Sequence, residues 1–181
     1  AMRSEGRAAI AGAGGVENIV AALRVQPGDL DVQALACEAL RNLAVNDVAL
    51  RSAIMQAGGA GRITEALRAH PWDARVQGLA CGALGALARS PGHGAIIAQA
   101  GGVALALAAL AGQPSDTKVQ ALAWEALGNM AVGSPELGGA ILKAGGMDRA
   151  IATLKEHGSD AEVKIRVCEA LGSFESSDVE R

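Results

Sequence analysis

One stretch of this chain decides the fold: VQALACEALRNLA, from Val32 to Ala44. Related stretches begin at Val76, Val119 and Val163, so the spacings are 44, 43 and 44 residues. A pair of glycines keeps the same register in four copies: Gly14-Gly15, Gly58-Gly59, Gly101-Gly102 and Gly145-Gly146. A period in this range is typical of helical solenoids, in which each unit buries its apolar face against its neighbours. We therefore expect the function to lie in a binding surface and not in a catalytic pocket.

Each copy divides into three predicted helices. The first is short, as in Leu50 to Gln56, and the glycine pair ends it because glycine tolerates positive φ and is a poor helix former. The second carries apolar residues at helical spacing, which in the first copy are Val16, Ile19, Val20 and Leu23. The third is the longest, and from Val32 its apolar residues follow the pattern of an amphipathic helix.

A turn with a fixed aspartate separates the second and third helices. It reads QPGD, HPWD, QPSD and HGSD, and ends at Asp29, Asp73, Asp116 and Asp160. A side-chain oxygen at this position can accept from the free N–H groups of the third helix, and such a cap stabilises by about 1 kcal/mol. We expect these aspartates to be helix caps and not metal ligands or acids.

Glycine also recurs inside the third helix, at Gly85, Gly128 and Gly172. A glycine in the middle of a helix costs about 1 kcal/mol relative to alanine. Its repeated use predicts a close approach at this position. The approaching group is either the helix of the next unit, which we favour, or the backbone of a ligand.

Composition argues against several classes of function. Half of the 181 residues are apolar and only 2% are aromatic, which suits close packing of helices. The net charge of -3 gives no basic stripe of the kind that nucleic acids require. The charge-free stretch Ala95 to Gly112 is long enough for a bilayer, but its central glycines and weak hydropathy indicate a buried part of the repeat. With no signal peptide or membrane span, we expect a cytoplasmic or nuclear protein.

The three cysteines, Cys37, Cys81 and Cys168, share one position of the repeat. Neighbouring helix layers lie roughly 9–10 Å apart, farther than the Cα separation of about 7 Å that a disulfide tolerates. We therefore expect reduced core residues. Cysteine and histidine are too dispersed for a metal site, and no nucleophile–base or phosphate-loop motif occurs. The sequence thus predicts no metal, no cofactor and no enzymatic activity.

The chain resembles the armadillo-repeat family. The resemblance rests on three helices per unit, a glycine pair before the second helix, and a third helix of the form VQxxAxxALxNLA. Val32 to Ala44 is the nearest match, and the resemblance extends from about Ser4 to Phe174. It implies an all-helical, right-handed α-solenoid of about four three-helix repeats in a single array. The expected repeats are 3–46, 47–90, 91–133 and 134–175, followed by a polar tail at 176–181.

In armadillo proteins the third helices line a concave groove that holds an extended peptide, so the resemblance implies such a groove here. The asparagines that would hold a peptide backbone correspond to Asn42 and Asn129. Glutamate or Gly82 fills the position that carries tryptophan in importin-type units, so recognition of the importin kind is not expected. The predicted partner-binding residues are Glu38, Asn42, Glu125, Asn129, Glu169 and, as a weaker candidate that could equally belong to the core, Trp124.

Three glutamates along one groove favour a protein or peptide partner with Lys or Arg. Solvated helix surfaces carry similar glutamates, so an alternative stays open. In that alternative the chain is a structural spacer or self-assembly segment of a larger scaffold protein, with no groove ligand. Lys164 and Arg166 predict a polar end of the array. Apolar residues from Ile10 to Leu23 predict end-to-end self-association through the N-terminal repeat.

Overall fold

The computed structural model describes residue 6 and residues 13–175, with Glu175 described by its backbone alone. These residues form helices joined by short turns, and no strand occurs among them. The helices fall into four units: α1 Gly15–Val25 and α2 Leu30–Ala44; α3 Val48–Gln56, α4 Gly59–Ala69 and α5 Ala74–Ala88; α6 His93–Gln99, α7 Gly102–Gly112 and α8 Thr117–Ala131; α9 Pro135–Ile141, α10 Met147–Glu156 and α11 Ala161–Glu175. The predicted first helix of repeat one, with Ile10, and the tail at 176–181 lie outside the described residues. The prediction of an all-helical α-solenoid is confirmed.

Each glycine pair turns the chain by two different means. Its first member is left-handed, with φ of 72°, 79°, 92° and 95° at Gly14, Gly58, Gly101 and Gly145. Its second member allows close packing, because a Cβ on Gly59 would lie 2.8 Å from the carbonyl oxygen of Ile54. The same approach recurs in units three and four. In unit four the kink lies within one π-helical turn, Leu142–Gly146.

The predicted aspartate caps are confirmed in every unit. The Oδ1 atom of each aspartate accepts a hydrogen bond from the backbone N–H three residues later. The distances are 3.0, 2.8, 2.9 and 3.0 Å for Asp29, Asp73, Asp116 and Asp160. The third helix of each unit therefore begins at a residue that the sequence identifies.

In units one to three, a glutamine near the start of the third helix binds the carbonyl end of the second helix. It is the residue after Val32, Val76 and Val119. Gln77 is buried, and its Nε2 donates to the carbonyl oxygens of Leu67 and His70 at 2.8 and 2.9 Å. Gln33 and Gln120 make the equivalent pair of bonds in units one and three. These carbonyls belong to a helix end and have no partner inside the helix.

Side chains at the ends of the second helices connect successive units. His70 Nε2 donates to the carbonyl oxygen of Pro27 at 2.7 Å, and His157 Nε2 donates to that of Pro114 at 2.6 Å. Between units three and two, Gln113 Nε2 donates to Trp72 O at 3.1 Å. The turns thus stack along one edge of the solenoid.

Each third helix packs against the third helix of the next unit. A Cβ on Gly85 would lie 3.2 Å from the Cα of Ala126, and one on Gly128 would lie 3.0 Å from the Cα of Ala170. At these two positions the glycine serves helix packing, as we favoured. This close packing places the four third helices side by side.

One cysteine departs from the prediction. Cys37 and Cys81 are buried, and burial raises the pKa of each thiol to about 12. Cys168 is exposed, so its prediction as a core residue is wrong. The reason is its place on α11, the last described helix, where no further unit of the described chain covers that side.

No described helix is by itself long and apolar enough to cross a membrane. Helices α6 and α7 would satisfy the requirement of length and composition together, but they are bent by 72°. Their side chains Ile97, Ala106 and Leu110 are buried in the core of the solenoid. The prediction that this stretch packs as part of the repeat is confirmed.

Candidate functional site

The candidate site lies on the third helices, where an open pocket forms between α5, α8 and α11. The pocket has a volume of about 230 Å³. It brings together three of the predicted partner-binding side chains, Glu125, Asn129 and Glu169, together with Trp124. The remaining lining residues are Arg89, Gly128, Arg166, Ala170 and Ser173.

Arg166 forms ion pairs with both glutamates of this pocket. Its Nη1 lies 3.1 Å from Glu169 Oε2, and its Nη2 lies 3.9 Å from Glu125 Oε2. The Arg166 side chain is 33% exposed, so both ion pairs are partly shielded from water. The sequence placed Arg166 at a polar end of the array, but the structure places it within the groove. Two of the three predicted groove carboxylates therefore already have a cation.

Asn129 holds two units together as well as lining the pocket. Its Nδ2 donates to the backbone carbonyl of Gly85 at 3.0 Å. A side-chain amide has a second N–H and a carbonyl oxygen, so Asn129 keeps polar capacity for a ligand. Asn42, its equivalent in unit one, is exposed.

The gap at Gly82 in the glutamate series is filled by an arginine of unit one. A Cβ on Gly82 would lie 2.9 Å from Arg41 Cδ and 3.0 Å from Arg41 Nε, so the arginine side chain crosses this position. Glu38, one unit earlier, is exposed. The groove therefore has a mixed charge, where the sequence predicted an acidic one.

Trp124 belongs to the core beneath the pocket. It is fully buried, and its indole N–H donates to Thr153 Oγ1 at 3.2 Å. The Thr153 hydroxyl in turn donates to Gln120 Oε1 at 2.8 Å. A side chain with no exposed surface has nothing to offer a ligand, so the core alternative fits Trp124 better.

Two further depressions continue the groove. One of about 360 Å³ shares Arg89 and Asn129 with the central pocket and is closed by the turns that end α5 and α8. The other, of about 300 Å³, lies at the opposite ends of the third helices and contains Arg41 and Lys118 beside Asp160 and Glu162. The three depressions together draw residues from all four units.

The arginines are the groove residues that sequence reasoning missed. Arg166 precedes Glu169 by three residues, a spacing at which side chains on one helix meet. It also stands at the position of Leu35, Leu79 and Leu122, so the repeat register marks it as an exception. Both signals were available in the sequence.

The described residues offer little acid–base chemistry. No group of three His, Cys, Asp or Glu residues in this part of the chain could hold a metal ion. Each histidine bonds to a backbone carbonyl, and for His93 the acceptor is Leu87 O at 3.0 Å. The arrangement is suited to binding polar and charged groups.

Solved structures share this fold. A crystal structure of an engineered protein from the Northeast Structural Genomics Consortium has a TM-score of 0.82 and 34% identity, and the match covers 95% of this chain and 67% of that one. A second engineered protein of the same consortium has a TM-score of 0.85 and 26% identity, with coverages of 95% and 68%. A designed armadillo repeat protein, in complex with the peptide (KR)4, has a TM-score of 0.79 and 21% identity, with coverages of 94% and 68%. No protein-family model and no curated protein matches the chain. The chain has an armadillo-like helical repeat fold.

Proposed function

We propose that this chain is a non-enzymatic interaction module of the armadillo type, which binds an extended peptide or protein segment along the groove of its third helices. The observation that carries the proposal is the pocket that collects Glu125, Asn129 and Glu169. Pockets of this kind use a few placed polar groups to orient a ligand. In unit one, Glu38 stands at the repeat position of Glu125 and Glu169, and Asn42 stands at that of Asn129. The glutamates and the asparagines thus form two rows of equivalent positions.

Each row has a distinct role in the proposal. Asn42 and Asn129 hold the ligand backbone, because a side-chain amide can both donate to and accept from a peptide group. Glu38, Glu125 and Glu169 recognise Lys or Arg side chains through charge-assisted hydrogen bonds. The peptide (KR)4 of the designed armadillo neighbour has this ligand chemistry, which supports the proposal at the level of the fold.

The test is a titration of fluorescein-labelled (KR)4 followed by polarisation. The variant Glu38→Gln, Glu125→Gln, Glu169→Gln keeps the shapes and removes three charges. We expect it to bind about tenfold more weakly, since ion pairs of this exposure contribute up to about 1 kcal/mol each. The difference should shrink in high salt because exposed charges are screened.

The matched control is the triple variant Glu17→Gln, Glu65→Gln, Glu136→Gln. It makes the same change in net charge on α1, α4 and α9, outside the row of third helices. We expect it to bind as the unmodified chain does. Equal weakening in both triple variants would mean that the peptide responds only to overall charge, and the groove proposal would be abandoned.

A second candidate function, end-to-end assembly of copies, is favoured by Leu35. This side chain is 52% exposed, whereas its equivalents Leu79 and Leu122 are 4% and 9% exposed. Leu122 packs beside Gly78 and Gly82 of the preceding unit. Leu35 is the equivalent residue of unit one, and no described unit precedes it, so its apolar surface is uncovered. The α1 residues named from the sequence, Val16, Val20 and Leu23, are buried and do not form this face.

Sedimentation velocity over a range of concentrations tests this assembly. We expect the mean sedimentation coefficient to rise with concentration, because a head-to-tail contact does not close on itself. Leu35→Arg, which introduces the residue found at this position in unit four, should abolish the rise. Val25→Arg, at an exposed residue on α1, is the control. A constant monomer value for the unmodified chain would end this candidate.

A further inference from the structure

We infer that Arg166 determines the ligand specificity of the groove. It occupies, from within the chain, the place that a basic ligand side chain would take between Glu125 and Glu169. The inference rests on the proposed function of the groove, and it specifies the charge pattern of the partner.

The geometry of Arg166 is that of a bound basic side chain. Its guanidinium reaches Glu169 on its own helix at 3.1 Å and approaches Glu125 of the preceding unit at 3.9 Å. Two nitrogens of one guanidinium thus serve two carboxylates. The contact with Glu169 is a hydrogen bond, and the contact with Glu125 is an ion pair beyond hydrogen-bond distance. The ligand position at these units is therefore occupied by the chain itself.

The other units show what the position carries without the arginine. In unit three the equivalent residue is Leu122, which lies against Gly82, where a Cβ would be 3.2 Å from Leu122 Cδ2. In unit four the equivalent residue is Arg166, which lies against Glu125 of unit three. Glu125 stands at the repeat position that Gly82 holds in unit two. Leucine faces glycine at one junction, and arginine faces glutamate at the next. Because Arg166 is paired with Glu125 of the preceding unit, its side chain forms part of the groove surface.

The two ends of the groove consequently differ in what they accept. Glu38 in unit one is exposed and has no ion pair within the described part of the chain. A basic side chain can approach it without displacing a cation. Over units three and four, a basic side chain has to displace Arg166 and also approach Arg89, which lines the same pocket. The unmodified chain therefore prefers a segment whose basic residues lie over unit one, and a basic residue over units three and four binds Glu125 and Glu169 only by displacing Arg166.

The decisive variant is Arg166→Leu, which introduces the residue of the other three units. We expect it to bind (KR)4 about tenfold more tightly than the unmodified chain, because two carboxylates become available to the peptide. Two half-basic peptides, (KR)2(GS)2 and (GS)2(KR)2, carry the charges at one end only. One of these two peptides will bind the unmodified chain more tightly than the other. For that peptide, we expect the affinity of Arg166→Leu to differ from that of the unmodified chain by less than about twofold. Arg166→Gln should behave as Arg166→Leu does and guards against an effect of the added apolar surface.

Lys164→Gln is the matched control, since it also removes one positive charge and also introduces the residue of the other three units. Lys164 stands where the other units direct glutamine to the end of the second helix, away from the groove. Its affinity for (KR)4 should equal that of the unmodified chain. If Arg166→Leu and Lys164→Gln change the affinity equally, or if neither changes it, Arg166 is not the determinant and the groove proposal still stands. If no basic peptide binds any of these proteins, the proposed function itself fails.

Discussion

Helices α8 and α11 have related sequences, but their surroundings differ. Trp124 of α8 is fully buried, while Cys168 at the same position of α11 is exposed. Ala121 is buried, while its equivalent Ile165 is 54% exposed. Helix α8 has third helices packed on both sides, and α11 is the last described helix. Position in the repeat therefore does not decide burial by itself, because a neighbouring unit is also needed.

The same comparison separates residues that stabilise the array from residues that shape the groove. Side chains that would lie between third helices lose this environment on the last described helix, as Cys168 does. In unit four Arg166 keeps its environment, because it faces the preceding unit just as Leu122 does. Substitutions in the first class should change stability, and substitutions in the second should change ligand binding.

The largest expected difference in stability is between substitutions of Trp124 and Cys168, which stand at the same position of units three and four. Trp124→Ala should lower the free energy of unfolding by about 4 kcal/mol, because it opens a cavity and leaves Thr153 without its indole partner. Cys168→Ala should change it by less than about 0.5 kcal/mol, as exposed substitutions usually do. Equilibrium unfolding in urea measures both. A stable Trp124→Ala variant that no longer binds (KR)4 would instead make Trp124 a groove residue.

The fold was largely predictable from the sequence because its signals are local. The four aspartate caps and the left-handed glycines each depend on one residue and its immediate neighbours. Such features repeat with the sequence and need no knowledge of the whole array. The glutamine of the Val-Gln marker was visible for the same reason, but its bonds to the second helix required the packed unit.

The charge of the groove was less predictable because it depends on long side chains from adjacent units. Glu125 and Glu169 line one pocket, but Arg166 and Arg41 reach the same row of positions from elsewhere on their helices. The repeat register predicts where the backbone of a residue lies, but not where the charged group at the tip of its side chain lies. An arginine reaches far enough to cross from one position to the next, which a period of 44 residues cannot show.

The smallest expected effect concerns the glutamine of units one to three and the lysine of unit four. Gln120 is buried and donates to Leu110 O and Gln113 O at 2.9 and 3.0 Å. Gln120→Ala should cost about 2 kcal/mol, because Leu110 O loses its side-chain donor and Gln113 O keeps only the backbone N–H of Asp116. Lys164→Gln introduces the side-chain donor of the other units and should add about 0.5–1 kcal/mol, although His157 O in unit four already accepts from the backbone N–H of Asp160. We expect the gain to be smaller than the cost because position 164 is exposed, whereas Gln120 is buried, and a hydrogen bond at an exposed position exchanges with water. Urea unfolding of both variants should therefore show opposite signs, and a loss of stability in Lys164→Gln would mean that the glutamine needs a following unit to hold it in place.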